Sequence, residues 1–202
     1  MPQVETAAPS TITGAALHAF IESRREPGER LYAVVDAAQD KELAFEGALR
    51  YGWKLQWLFS EDTDRQMGGV APYLVPITFE SNYPFRESDY LDLWAERLGS
   101  NAGILLLTGS GPEELRGDLS SVFQVVDEDG TDGFFRFYDP RVLRFFANVC
   151  TLGEAKNLFG TIRQILVEGE SPGALLACTM DAEGVAIETA NIAATPLDQR
   201  AS

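Results

Sequence analysis

Residues 31–59 read LYAVVDAAQDKELAFEGALRYGWKLQWLF, and this stretch decides the class of fold. It opens with an apolar, β-branched run of strand length, Leu31–Ala37, and closes with a second strand-like run at 54–59. Between them, Asp40 stands where a helix N-cap is expected, and Gly52 stands where that helix would end. A strand, a helix and a strand in this order are typical of a sheet covered by helices.

The flanking sequence extends this pattern toward both ends. Amphipathic spacing predicts a helix from Thr11, and the continuous apolar run at 102–109 is typical of a strand buried on both faces. Pro72 and Pro76 indicate that the strand-like run around them lies at an edge of the sheet. The turn sequences DEDGTDG and GESPG predict two hairpins. We therefore predict an α/β or α+β domain: a mixed sheet of about six strands, flanked by helices, with a C-terminal β-hairpin.

The composition suggests a single domain. The 202 residues are 45% hydrophobic, enough for a real core. Residues 1–10 are predicted to be a flexible polar tail, 11–180 the domain, and 181–202 an acidic segment of weak order.

The charge of the chain limits its partners. A formal net charge of -15 repels nucleic acids and anionic membranes and favours a basic protein partner. The N-terminal sequence lacks the pattern of a signal peptide, and no run of residues has the length of a membrane span. We expect a cytoplasmic protein that binds neither nucleic acid nor membrane.

Residues suited to catalysis are scarce. The chain has one histidine, His18, so a Ser–His–Asp or Cys–His catalytic system would have to use this residue, and we regard such a system as disfavoured. The two cysteines lie in apolar contexts that predict buried free thiols. We expect no enzyme activity, no metal and no cofactor. The alternative is a small-molecule or nucleotide-phosphate-binding enzyme that uses the loop Gly109–Gly111 and the arginines described next, although Glu113 and Glu114 place negative charge where a phosphate would bind.

Residues 134–146, FFRFYDPRVLRFF, combine aromatic side chains with three arginines. Strand alternation would put Phe135 and Phe137 in the core and leave the other face half exposed. Asp139 and Pro140 then read as the N-cap and first residue of a helix. The apolar stripe predicted for that helix consists of Val142, Leu143, Phe146 and Val149, broadened by Phe145.

The arginines of this segment have two readings. Arg136 and Arg141 would either grip an anionic ligand or pair with Asp36 or Asp139 and stack on aromatic rings. Pairing inside the fold is favoured in so acidic a chain. For Arg144, a solvent-facing position on the helix is sufficient.

Several blocks of the sequence together resemble one family. They are LYAVVDAAQD, VAPYLVPI, AGILLLTGSGPEELRGDLSSVFQV and DGFFRFYDPRVLRFFANVCTLGEAKNLFG, in this order from about Leu31 to Gly160. The chain resembles the DUF4123 family, whose members are adaptor chaperones of bacterial type VI secretion. FRFYDPRVL with the downstream LFG is the most specific part. Ala102–Gly103 departs from the Trp-Gly that members often carry there.

The resemblance implies a binding function in the bacterial cytosol. Members bind a type VI secretion effector and help to load it onto the VgrG spike protein. The family-motif positions, expected to be structural, are Asp36, Pro72, Tyr73, Arg136, Asp139, Pro140 and Arg141. From the residues alone, Tyr83, Phe85 and Tyr90 are candidates for a partner-binding loop; the alternative is that they cover an edge of the core.

Overall fold

The computed structural model describes residues 12–45, 56–58, 70–77, 87–126, 129–130, 132–171 and 173–192. Its helices are α1 (Gly14–Glu22), α2 (Glu87–Glu96), α3 (Pro112–Phe123), α4 (Pro140–Val149) and α5 (Leu152–Phe159), with a further helical stretch at 41–45. Its strands are β1 (Arg30–Asp36), β2 (Gln56–Trp57), β3 (Pro72–Pro76), β4 (Gly103–Thr108), β5 (Gln124–Val126), β6 (Asp132–Phe134), β7 (Ile162–Glu168), β8 (Ala174–Met180) and β9 (Val185–Asn191).

Seven of the described strands form one sheet in the order β2-β3-β1-β4-β7-β8-β9, and β5 pairs with β6 separately. The predicted α+β class is confirmed. The sheet is not mixed, however: every strand pair that the structure describes is antiparallel. The reason is that β3, which follows the opening stretch in sequence, lies between β1 and β2 and is antiparallel to both. These two strands run parallel, as a strand–helix–strand unit requires, but they are not neighbours.

The two faces of the sheet pack against different helices. Along β1, Leu31, Ala33 and Val35 join one hydrophobic cluster, whereas Tyr32 and Val34 join the other. The first cluster is completed by α1 and α2, and the second by α3, α4 and α5. Helices on both faces explain why β1 and β4 are apolar without alternation.

The helices that the sequence predicts begin and end close to the predicted residues. Asp40 caps the stretch at 41–45 by accepting a hydrogen bond from the Leu43 amide at 2.8 Å. Gly14 allows α1 to lie directly on α2, because a Cβ at this position would lie 2.4 Å from the Cα of Asp92. The rest of the helix predicted to end at Gly52 lies outside the described residues.

The edge position predicted for β3 is wrong. This strand lies between β2 and β1, and it accommodates two prolines because they stand at its ends. Pro72 and Pro76 are opposite residues of β1, while β2 pairs with Tyr73 and Leu74 alone. The missing N–H groups of the prolines therefore fall outside the β2 ladder.

The C-terminal hairpin of β7 and β8 is confirmed, but the chain continues beyond it as a third strand. Residues 185–191 form β9, which pairs with β8 along its whole length. The expectation of weak order over 181–202 therefore fails for 185–191. This strand lies at an edge of the sheet, where residues 185–190 are half-buried or exposed rather than in the core. Residues 1–11 and 193–202 lie outside the described part of the chain.

Candidate protein-binding surface

The segment 134–146 turns a corner between β6 and α4. The chain leaves β6 after Phe134, and two turns follow, in which the Phe137 amide bonds to the Phe135 carbonyl and the Asp139 amide to the Arg136 carbonyl, each at 2.9 Å. Strand alternation therefore stops, and Phe137 and Tyr138 are both buried. The predicted half-exposed position of Tyr138 is wrong for this reason.

Asp139 begins α4 as predicted. Its side chain caps the helix by accepting a hydrogen bond from the Arg141 amide at 2.9 Å. The same carboxylate takes two further bonds from the Arg141 guanidinium, at 2.9 Å from Nε and 2.6 Å from Nη2. One buried carboxylate thus serves both as the helix cap and as the partner of a bidentate arginine.

Arg136 joins the corner to the sheet. Its Nη2 donates to Asp36 Oδ2 at 2.6 Å, and Asp36 at the end of β1 is only 1% exposed. The other oxygen of Asp36 accepts from the Ala38 amide at 2.9 Å. The guanidinium carbon lies 5.8 Å from the centre of the Tyr138 ring. The predicted pairing with a nearby carboxylate and the stacking on an aromatic ring are both present.

The electrostatics of the corner follow from burial and pairing. Burial raises the pKa of Asp139, but the side-chain and backbone hydrogen bonds of Arg141 outweigh it and hold that pKa below its ordinary value. Burial lowers the pKa of Arg136, and the hydrogen bond to Asp36 acts together with the charges of Asp36 and Tyr138 to outweigh it, so the net pKa is raised. Burial and then the charge of Asp36 raise the pKa of Tyr138 to about 12. At neutral pH the corner holds two acids and two arginines in balance.

A third buried acid and a third arginine adjoin the corner, and sequence reasoning missed this role for both. Glu168 ends β7, is 8% exposed and accepts a hydrogen bond from the Gly99 amide. Arg144 donates from Nη1 to the Glu168 carbonyl oxygen at 2.8 Å, so it is not simply solvent-facing. Burial raises the pKa of Glu168, and the backbone bonds and Arg144 offset this only in part. The position of Glu168 at the end of an apolar strand was a weak sequence signal for this role.

A cavity of about 540 Å³ opens beside Glu168. Apolar and polar residues line it, and three of the polar ones are glutamates: Glu96, Glu168 and Glu170. Arg144 is on its wall, where its charge is partly engaged by the Glu168 carbonyl. Glu168 Oε1 is buried and has no hydrogen-bond partner among the described residues. The cavity therefore carries an excess of negative charge.

The exposed face of α4 carries large apolar residues beside Arg141 and Asn148, which corrects part of the predicted stripe. Leu143 and Ala147 face the core, whereas Phe145 is 70% and Val149 is 60% exposed. The helix therefore has one apolar stripe that faces the core and a second that contains the exposed residues. Positions 142, 145, 146 and 149 have the spacing i, i+3, i+4, i+7, which is typical of a buried face, but here Val142 and Phe146 are half-buried and Phe145 and Val149 are exposed.

A groove of about 540 Å³ runs beside this face. Phe146 and Phe135 line it with ring centroids 4.8 Å apart, and Val122, Val125 and Leu158 add apolar surface. Ser121, Glu154 and Asn157 are polar residues of the same groove. Val125 and Phe134 on the β5–β6 hairpin are exposed, and Phe134 directly precedes the groove residue Phe135 in sequence. A concave apolar groove next to an exposed apolar helix face is typical of a protein-binding surface.

The predicted contact loop is not placed by the structure. Tyr83 and Phe85 lie outside the described residues. Tyr90 lies in α2, is buried, and donates its hydroxyl to the Leu43 carbonyl at 3.2 Å. Tyr90 therefore belongs to the core, as the alternative interpretation held. Of the remaining motif residues, Pro72 is opposite Asp36 in the sheet and Tyr73 is buried beside Phe45, with ring centroids 5.0 Å apart.

The loop Gly109–Gly111 offers little to a phosphate. The Ser110 amide is already bonded to Thr108 Oγ1 at 3.0 Å, and the Ser110 carbonyl accepts from the Tyr32 hydroxyl at 3.1 Å. Glu113 and Glu114 occupy the first turn of α3. A phosphate at this loop would be repelled by the two glutamates, and the Ser110 amide would not be free to bind it.

Other titratable groups of the described residues also offer no site for chemistry. His18, Glu22 and Glu87 place ligand atoms within 4.8 Å of one another, but Arg25 pairs with both glutamates. Both cysteines are free, and Cys150 is only half-buried. Burial raises the pKa of Cys178 to about 11, which leaves its thiol protonated and unreactive at neutral pH. Among the described helices, none combines the length and the apolarity needed to cross a bilayer.

Comparison with known proteins assigns the chain to a family. The sequence profile described as "Domain of unknown function (DUF4123)" matches residues 31–157, more than half of the chain. The chain belongs to the DUF4123 family. In this DUF4123 protein the match includes the ionic corner and the whole of α4, whereas Glu168 and Glu170 lie beyond it. No curated protein and no solved structure shows a significant match.

Proposed function

We propose that this DUF4123 protein is an adaptor chaperone of the bacterial cytoplasm. It binds a type VI secretion effector and promotes the loading of that effector onto the VgrG spike. The observation that carries the proposal is the outward apolar face of α4 beside a groove of about 540 Å³. A protein keeps such a surface when a partner covers it.

The chemistry of the described residues supports binding over catalysis. The single histidine lies beside Glu87 on the opposite face of the sheet from the groove. The acids and arginines of the corner neutralise one another, so they hold α4 in place and supply no free nucleophile or base. The net charge of -15 favours a partner with basic surface.

Co-expression tests the proposal. The full chain is produced with the VgrG protein and the toxin encoded beside its gene, and each pair is purified through a tag on the partner. We expect the toxin to co-purify in fixed ratio and to become more soluble. An effector from an unrelated gene cluster is the control. Failure of both the toxin and the spike to co-purify contradicts the adaptor function.

A further inference from the structure

The exposed face of α4 stands between two recesses of different chemistry. Arg144 lies on the wall of the acidic cavity, and Phe146 lies on the wall of the apolar groove. Successive helix residues are 100° apart, so Arg144 and Phe146 are on opposite flanks and Phe145 is at the crest between them. Leu143 and Ala147, on the far side, hold the helix to the core.

The groove is suited to apolar side chains that arrive along a helix. Its walls come from α3, α4, α5 and the β5–β6 hairpin, and its aromatic floor is Phe135 against Phe146. An amphipathic helix presents apolar residues at i, i+3, i+4 and i+7, the same spacing as the exposed stripe of α4. Two such stripes can pack against each other as helices do in a bundle.

The cavity on the other flank is suited to a cation. Three glutamates and one partly engaged arginine leave it negatively charged, and Oε1 of the buried Glu168 has no partner among the described residues. A lysine ammonium or an arginine guanidinium entering the cavity would offset the charge of the glutamates that line it.

We propose that α4 is the docking ridge for a helical segment of the carried effector. The apolar face of that segment lies against Phe145 and Val149 and fills the groove, and an adjacent lysine or arginine enters the Glu168 cavity. This inference rests on the proposed adaptor function and names the surface and the chemistry of its partner. A second copy of this chain is disfavoured as the occupant, because each copy carries a net charge of -15.

The test compares matched alanine variants of the full chain. Phe145→Ala removes the crest, and Asn148→Ala, on the same helix and also exposed, is the control. The double variant Glu96→Gln/Glu170→Gln reduces the charge of the cavity without touching the core. The probes are the co-purified effector and a synthetic amphipathic helix with leucines at i, i+3, i+4 and i+7 flanked by lysines, together with its twin in which glutamates replace the lysines.

We expect Phe145→Ala to weaken binding of the effector and of the lysine peptide by about tenfold or more, with Asn148→Ala within about twofold of wild type. The double variant weakens the lysine peptide and leaves the glutamate twin little changed. If Phe145→Ala and wild type bind the effector and the lysine peptide equally, α4 is not the docking surface. If wild type binds the lysine peptide and the glutamate twin equally, the cavity is not a cation site. A wild-type dimer that Phe145→Ala dissociates assigns the surface to a second copy instead.

These outcomes separate the surface from the function. If the effector binds wild type and Phe145→Ala equally, the surface is wrong and the adaptor function stands. If wild type binds the lysine peptide but neither the effector nor the spike, the adaptor function is wrong and the surface stands.

Discussion

At the scale of single residues, the pair of Arg136 and Asp36 connects parts of the chain 100 positions apart in sequence. A carboxylate that is 1% exposed is costly to bury without a partner, and Arg136 supplies that partner from a position that remains 43% exposed. The arginine is thus a structural brace that ties α4 to the sheet. This geometry favours pairing inside the fold over a grip on an anionic ligand.

Arg136→Ala tests the brace. The substitution leaves Asp36 buried without its ionic partner, so we expect the free energy of unfolding to fall by about 1–3 kcal/mol. This is less than for a fully buried pair, because solvent screens the half-exposed guanidinium. Urea denaturation gives the value. In the double variant with Asp36→Asn, the loss from Arg136→Ala should be smaller. Unchanged stability with lost effector binding would return Arg136 to the role of a binding residue.

Glu168 gives a prediction about pH. Its folded pKa is raised above the ordinary value of 4.5, chiefly by burial, so Glu168 binds its proton more tightly in the folded state than in the unfolded state. Its contribution to stability is therefore complete below the unfolded pKa and is lost as the pH rises through the folded pKa. Glu168→Gln mimics the protonated form at every pH. We expect the variant to be more stable than wild type at pH 7 and equal to it near pH 4, measured by urea denaturation; a variant less stable at pH 7 contradicts this.

At the scale of elements, α4 shows why a helical pattern can be assigned to the wrong face. Its ten residues carry two apolar stripes, one with Leu143 and Ala147 and one with Phe145, Phe146 and Val149. The sequence prediction joined Leu143 to Val142, Phe146 and Val149 in one stripe, and the structure buries Leu143 but leaves Val149 and Phe145 exposed. The cap by Asp139 and the pairing of Arg136 with Asp36 set the rotation of the helix, and that rotation turns Leu143 inward.

Truncation at two positions of α4 tests this orientation. Leu143→Ala removes a fully buried side chain and should lower the free energy of unfolding by about 2–5 kcal/mol. Phe145→Ala removes a larger but exposed side chain and should change it by no more than about 0.5 kcal/mol. Thermal or urea unfolding of both variants gives the comparison. The reverse order of losses would place Phe145 in the core.

At the scale of the whole molecule, the last strand completes the sheet. β9 pairs with β8 from Val185 to Asn191 and is an edge of the seven-stranded sheet. Without it, β8 and the buried Cys178 would become the edge. An uncovered, apolar edge strand is prone to pair with other chains.

A chain that ends at residue 184 tests this role. We expect it to lose about 3 kcal/mol or more in the free energy of unfolding and to aggregate, because an entire ladder and the cover of β8 are removed. A chain that ends at residue 192 is the matched control, since it keeps all of β9. Light scattering and urea denaturation measure both effects. Equal stability of the two truncated chains would show that β9 contributes nothing.

Local chemistry was enough to predict much of this protein. The α+β class, most helix starts, the two hairpins and the Asp139 cap follow from short-range patterns, because caps, turns and strand-forming runs act within a few residues. The pairing of Arg136 with a carboxylate also followed, since an acidic chain offers an arginine many partners. The family resemblance over the central blocks rests on the same local sequence.

Other features depended on which elements meet in space, and only the tertiary structure decided them. The antiparallel order of the sheet arises from β3 returning between β1 and β2, and the inner position of β3 contradicts the prolines at its ends. Glu168 and Arg144 come together from the end of β7 and the middle of α4, 24 residues apart. The outward stripe of α4 depends on the rotation of one helix about its axis. A periodic sequence specifies which residues share a helix face, and the contacts made by distant residues determine which face is buried.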